Sequence, residues 1–278
     1  MTNNEVAAIR PDALAGAAVL TKAISVGEGK ASMSTKRSFV LAMLAGLFIG
    51  IGGMFMTLVK SDATLGFAAS SVLGGLAFSL GLFAVLVAGA ELFTGNNLMV
   101  LGTLKGRYGV AKLLRSWLVV YLGNLCGSLL LVAVLTLANF AGMNGGAVGT
   151  TMISVAAGKC ALPWTVAFGR AIMCNVLVCL AVWMGFAART VTDKFLCAAA
   201  PVCAFVACGF EHCVANMYFI PMGMMALSAG AVPAEGVNLA ALTMGGMLSN
   251  LSAATIGNIV GGAVLYAGLY WLAYGQER

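Results

Sequence analysis

Charge is what this chain has least of. Only 9% of its 278 residues are Asp, Glu, Lys or Arg, against 61% hydrophobic residues. A soluble domain carries roughly 25% charged residues, so a water-exposed globular surface is excluded. The mean hydropathy of +1.00 agrees. Histidine occurs once and no C-x-x-C pair is present, so a histidine- or cysteine-based metal centre has no ligand set. No h-region followed by a cleavage site stands near the N-terminus, so no secretory signal is expected. The eight cysteines fall largely in apolar runs, where cysteine serves as a small buried hydrophobe. The net charge of +6 comes from basic residues scattered in short loops, not from a basic patch, and no nucleic-acid partner is expected.

What remains are long apolar runs. Six are legible, at roughly 39–59, 70–104, 113–138, 163–187, 195–226 and 250–274, lengths that suit helices rather than barrel strands. The second and fifth exceed the roughly 20 residues that cross the hydrocarbon, and each carries an acid and a glycine in its middle. That pattern predicts a helix broken at membrane depth, which is tolerated where the irregular backbone is buried in protein or lines a cavity. Arg10, Lys22, Lys30, Lys36 and Arg37 precede the first run. Lys105, Arg107, Lys112 and Arg115 follow the second, and Arg189 and Lys194 follow the fourth. The alternate loops hold only Lys60 and Lys159. The positive-inside rule places both termini in the cytoplasm of a multi-pass protein of the plasma (inner) membrane. The spacing of Ala13, Leu14, Ala17, Ala18 and Leu20 predicts an amphipathic helix lying along the membrane surface.

The two long runs are related. "GAELFTGN" (Gly89 to Asn96) and "GFEHCVAN" (Gly209 to Asn216) share G-x-E-x-x-x-small-N, and "LGNLCG" (Leu122 to Gly127) and "IGNIVG" (Ile256 to Gly261) share G-N-x-x-G. Spans one to three therefore repeat as spans four to six, in opposite topology because three is odd. Paired broken helices in inverted repeats mark transporters and channels, with the pathway where the breaks meet. The organisation expected is an N-terminal cytoplasmic segment (1–38), a three-span repeat (39–138), an external loop (139–162), a second repeat (163–274) and a cytoplasmic C-terminus (275–278). Each break frees backbone groups that need partners in a water-poor place. Glu91 and Glu211 are expected to cap those loops by accepting the freed N–H groups. His212, at a break and beside an acid, is the candidate for an ion or proton path.

"ELFTGN", "GFEHCVANMYFIPMG", "NVLVCLAVWM" (Asn175 to Met184) and "TIGNIVGG" (Thr255 to Gly262) together resemble the formate/nitrite transporter family, over about 30–275. The resemblance implies an all-α, aquaporin-like protomer of six transmembrane helices with helices 2 and 5 broken. It also implies a homopentamer with one pore per protomer and no cofactor. The implied substrates are small monovalent anions: formate above all, then nitrite, hydrosulfide, acetate or lactate, moving together with protons. It assigns the central histidine to His212, the break-loop threonine to Thr94 and the path-lining asparagine to Asn175. It places Phe78, Leu82 and Phe205 in one constriction and Leu92, Phe93 and Val178 in the other, with vestibule lysines at Lys159 outside and Lys30 inside. Two departures stand out: Cys213 follows the histidine where serine is usual, and Arg170 puts a charge in span four. A water or glycerol channel shares the broken-helix plan but calls for paired N-P-A motifs, which are missing. Enzymatic thiol chemistry at Cys208 or Cys213 lacks an activating cation other than His212.

Energetics favour neutralising the substrate. A bare anion in an apolar ring loses its hydration, nominally tens of kcal/mol. A lysine about 10 Å away at an effective dielectric of 20 returns only about 1.7 kcal/mol. Protonating a carboxylate of Asp-like pKa at neutral pH costs roughly 4 kcal/mol. The lysines are thus expected to concentrate the anion and His212 to donate a proton or a hydrogen bond.

Overall fold

The computed structural model describes residues 13–230, 234 and 236–275. Parts of the terminal segments, 1–12 and 276–278, lie outside them. The described residues form an all-helical bundle with no strand. Helix α1 (Gly16–Ala31) precedes α2 (Thr35–Lys60) and α3 (Phe67–Ala88). A 3-10 turn (Gly95–Met99) leads into the short α4 (Val100–Leu104). Then come α5 (Val110–Leu137), α6 (Ala147–Cys160) and α7 (Trp164–Ala187). Helices α8 (Val191–Ala207) and α9 (Cys213–Ser228) follow. The chain ends in α10 (Met244–Ile259), a π-helical stretch (Val260–Tyr266) and α11 (Ala267–Tyr274).

Among the described residues, five helical stretches are long and apolar enough to cross a membrane: α2, α3, α5, α7, and α10 with its continuation to Tyr274. Helices α8 and α9 have 17 and 16 residues, about 25 Å each at 1.5 Å per residue, and share the sixth crossing. This is the six-span, aquaporin-like fold with inverted three-span halves. Both breaks occur where the motifs predict. Gly89 and Gly209 end the preceding helices in the left-handed region, with φ of +76° and +67°, which a side chain would strain.

The G-N-x-x-G motifs make the halves compact. A Cβ on Gly127 would overlap the Met43 carbonyl, and one on Gly123 would press on the Ala42 methyl and the Phe39 carbonyl. In the second half, a Cβ on Gly261 would overlap the Ile172 carbonyl and one on Gly257 would crowd Phe168 and Ala171. Glycines four apart thus let α5 close on α2, and α10 with its continuation close on α7, backbone to backbone. Large apolar side chains outside these contacts, such as Leu118 and Leu122 on α5 and Leu248 on α10, are exposed. An apolar exterior is the expected surface in a bilayer.

Two expectations are corrected. Segment 139–162 is not a loop: it carries α6, whose Val148, Met152, Ala156 and Cys160 form a buried stripe. That i, i+4 stripe packs on α9, where a Cβ on Gly223 would overlap the Ala156 methyl. The run is too short and too rich in Gly and Thr to read as a span, which hid it. Helix α1 packs its apolar face on protein. Its Val19, Leu20, Ala23 and Ile24 pack on Leu98, Leu101, Val182, Trp183 and Tyr266, so it docks against the end of the bundle. Helix α2 also begins earlier than residue 39, where Ser34 accepts a hydrogen bond from the Arg37 N–H at 3.4 Å.

Candidate functional site at the paired helix breaks

The two breaks are built alike. In the second, Glu211 Oε1 pairs with Lys159 Nζ at 2.9 Å, and Oε2 accepts from Asn216 Nδ2 at 2.7 Å and Asn250 Nδ2 at 3.0 Å. In the first, Glu91 Oε1 pairs with Lys30 Nζ at 3.0 Å and Oε2 accepts from Asn96 Nδ2 at 2.7 Å. Lys30 Nζ also donates to Asn96 Oδ1 at 2.7 Å. The asparagine five residues after each glutamate, present in both repeat motifs, folds back to hold the carboxylate.

The freed backbone groups go elsewhere than expected. Asn124 Oδ1 accepts from the Phe93 N–H at 2.9 Å, and Asn124 Nδ2 donates to the carbonyls of Ala42 and Glu91 at 2.8 and 2.9 Å. Asn258 repeats this: Oδ1 accepts from the Cys213 N–H at 2.9 Å, and Nδ2 donates to the carbonyls of Ala171 and Glu211 at 2.8 and 3.0 Å. The caps are therefore these asparagines, both fully buried. The carboxylates of Glu91 and Glu211 bind side chains, not the backbone N–H groups expected of them. A carboxamide suits the capping position because it offers an acceptor and two donors at once. Asn250 stands in no repeat motif; the shared N of G-x-E-x-x-x-small-N and of G-N-x-x-G was the signal that pointed to Asn96, Asn216, Asn124 and Asn258.

The symmetry fails at the centre. Where the first break has Leu92, the second has His212, whose Nδ1 accepts the Ala215 N–H at 3.0 Å and so caps α9. Its Nε2 lies 3.1 Å from Thr94 Oγ1 of the other break. With Nδ1 accepting, the neutral ring carries its proton on Nε2, a tautomer assigned from the backbone donor. Thr94 is held in turn by Asn175, whose Nδ2 lies 3.4 Å from the Thr94 carbonyl and 2.6 Å from that of Asn258. Asn175 is fully buried. Among the described residues it lines neither of the cavities that approach the centre; it braces the break instead.

One cavity, of about 280 Å³, opens between α6 and the second break and reaches Lys60, Lys159, Arg170, Phe78, Phe205 and His212. The other, of about 200 Å³, lies under α1 and reaches Lys30, Glu91, Leu82 and Leu92. Between them stand apolar side chains. Phe78 meets Phe205 edge-on with centroids 5.9 Å apart and stacks on Phe219 at 6.1 Å, and Phe205 stacks on the His212 ring at 5.9 Å. Phe219 is an additional member of this constriction. Leu82, expected beside Phe78, faces the Lys30 cavity with Leu92. Phe93 points away, packed edge-on against Trp117 and Tyr121. Val178 is buried in the core and reaches neither cavity. Lys30 and Lys159 are not free vestibule charges but half-buried partners of Glu91 and Glu211. Arg170, which sequence alone did not place, donates to the Gly209 carbonyl at 3.5 Å.

A polar gate at the meeting point of two inverted helix breaks, with an apolar constriction and a cavity on either side, defines a membrane channel or carrier for small solutes. The family model for formate/nitrite transporters matches residues 17–272, and the chain belongs to that family. It is 38% identical over 275 residues to the formate channel FocA of Escherichia coli K12, covering 96% of each chain. Its fold matches a pentameric formate channel solved with formate bound at a TM-score of 0.76 and 38% identity, covering 87% of this chain and 98% of that one. It also matches an ion channel of the same family at a TM-score of 0.80 and 28% identity, covering 92% and 98%.

Proposed function

We propose that this protein is a homopentameric membrane channel for small monovalent anions, formate foremost, each protomer passing the substrate as a neutral acid between its two cavities. Membership of the family and 38% identity to a formate channel over 96% of the chain support the substrate class. Nitrite and hydrosulfide are the alternatives within it. The basic loops support an orientation in the plasma membrane with both termini and the α1 cavity on the cytoplasmic side. Neither catalysis nor a cofactor is part of this reading.

The observation that carries the mechanism is the committed Nδ1 of His212. A ring whose Nδ1 accepts a backbone N–H has one proton, on Nε2, and giving it up would leave an imidazolate. His212 in this geometry is a hydrogen-bond donor and not a proton source. The anion gathers in a vestibule, takes its proton from water there, and crosses the phenylalanines as the acid, steadied by His212 Nε2 and Thr94 Oγ1. Purified protein in liposomes should take up formate with one proton per anion, read as internal acidification with a trapped dye. Uptake of formate no faster than through protein-free liposomes would overturn the function.

The Lys159–Glu211 pair refines the role of the vestibule lysine. Lys159→Met leaves a buried carboxylate uncompensated where an anion must approach. Initial uptake should fall about tenfold at low formate and less near saturation, and adding Glu211→Gln should restore part of the loss. A proportional fall at every concentration would rule out electrostatic gathering.

A further inference from the structure

The two cavities differ in charge. Under α1, Lys30 meets Glu91, and among the described residues these are the only charged ones lining that cavity. Among the described residues, the opposite cavity collects three cations from three helices, Lys60 at the end of α2, Lys159 at the end of α6 and Arg170 on α7, against the single carboxylate of Glu211. Glu211 is already spoken for by Lys159. Among the described residues, neither Lys60 nor Arg170 has a carboxylate partner. Lys60 is half-buried, lying along α3 with Cε 3.3 Å from where a Gly74 Cβ would stand. Arg170 is exposed, and its guanidinium is steadied by the Gly209 carbonyl at the turn of the second break. An excess of two positive charges thus surrounds about 280 Å³ of open space directly above the phenylalanine constriction.

We infer that this vestibule is a binding site for a doubly charged oxyanion, such as sulfate, hydrogenphosphate or a short dicarboxylate, which plugs the channel from that side alone. The attraction of fixed charges scales with the charge of the ligand, so a dianion gains twice what formate gains from the same cations. A guanidinium and an ammonium carried by different helices suit an oxyanion with acceptors on several sides. Passage is a different matter. One proton neutralises formate but leaves a dianion charged, and the desolvation of that charge bars it from the Phe78–Phe205 ring. The ligand is therefore held at the mouth, where it competes with the substrate. The α1 cavity, with its charges balanced, offers no such site.

The binding stands on the cavity itself, whereas the block of flux rests on the anion-channel reading, so the two are measured separately. Sulfate is titrated into the detergent-solubilised, formate-free pentamer by calorimetry, with chloride at matched ionic strength as reference. The flux of isotopically labelled formate is then measured across a planar bilayer with sulfate on one side or the other. Wild type should bind sulfate at least tenfold more tightly than chloride. Lys60→Met and Arg170→Leu should each weaken binding about tenfold, while the charge-keeping Lys60→Arg and Arg170→Lys stay within about threefold. Sulfate should reduce formate flux from one side only. The proposal is overturned if sulfate binds no better than chloride, if the Lys60→Met/Arg170→Leu double variant binds as wild type does, or if block is equal from both sides. Sulfate binding that responds to the variants in a protein that carries no formate would uphold the site and refute the transport reading.

Discussion

Replacing His212 with phenylalanine should lower formate flux at least tenfold, the loss of one hydrogen bond to a substrate in an otherwise apolar septum. The imidazole does two jobs with its two nitrogens: Nδ1 caps α9 through the Ala215 N–H, and Nε2 faces Thr94 and the cavity. Phenylalanine does neither. Losing the cap costs about 1 kcal/mol, too little to unfold the protein, so the flux defect should appear in a correctly assembled pentamer. His212→Asn separates the jobs. Its amide oxygen can take the Ala215 N–H, which should restore stability, but the shorter side chain does not reach Thr94, and flux should recover only in part. Stopped-flow uptake in liposomes, with thermal unfolding of the same preparations, makes the comparison. His212→Phe with wild-type uptake and unaltered pH dependence would remove His212 from the transport mechanism.

The largest effect on stability should come from Asn258→Ala. That one side chain takes the Cys213 N–H and serves the carbonyls of Ala171 and Glu211, and it is fully buried. Each buried group left unpaired costs about 1–3 kcal/mol, so three together rival the roughly 5–15 kcal/mol that holds a domain folded. The variant should fail to yield a monodisperse pentamer on size exclusion. Asn258→Asp, which keeps the acceptor and loses the donors, should fall in between. Asn124→Ala should behave as Asn258→Ala does, because Asn124 makes the equivalent three bonds in the other half. A wild-type melting temperature for Asn258→Ala would mean that the break is held by something other than this carboxamide.

Much of this was legible from one chain. The six apolar runs, the two overlong ones and the G-x-E and G-N-x-x-G repeats state the inverted plan directly, because helix breaks and close helix crossings demand glycine wherever they occur. The asymmetry of His212 against Leu92 was equally plain. Contacts that depend on three-dimensional closure were not. That Lys30 and Lys159 pair with the two glutamates follows from the docking of α1 and α6, neither of which reads as a span. Phe93 and Val178 sit at positions adjacent to pathway residues, and only the turn of the backbone decides which of the neighbours faces the cavity. Asn175 looked like a pore-lining polar residue. Its real neighbours, the Thr94 and Asn258 carbonyls, belong to elements far away in sequence.

The orientation of the His212 ring also bears on what the pathway refuses. A relay that hands protons along a chain needs a member able to accept on one side and release on the other. Here the accepting nitrogen is turned into the first turn of α9 and meets an amide that has no proton to spare. A hydronium arriving at the constriction finds no free lone pair on the imidazole, and the edge-on Phe78–Phe205 and stacked Phe78–Phe219 rings offer no polar group to continue a relay. In the proposed mechanism protons cross only as cargo bonded to a substrate, so the membrane potential of the cell is not short-circuited while the channel stands idle.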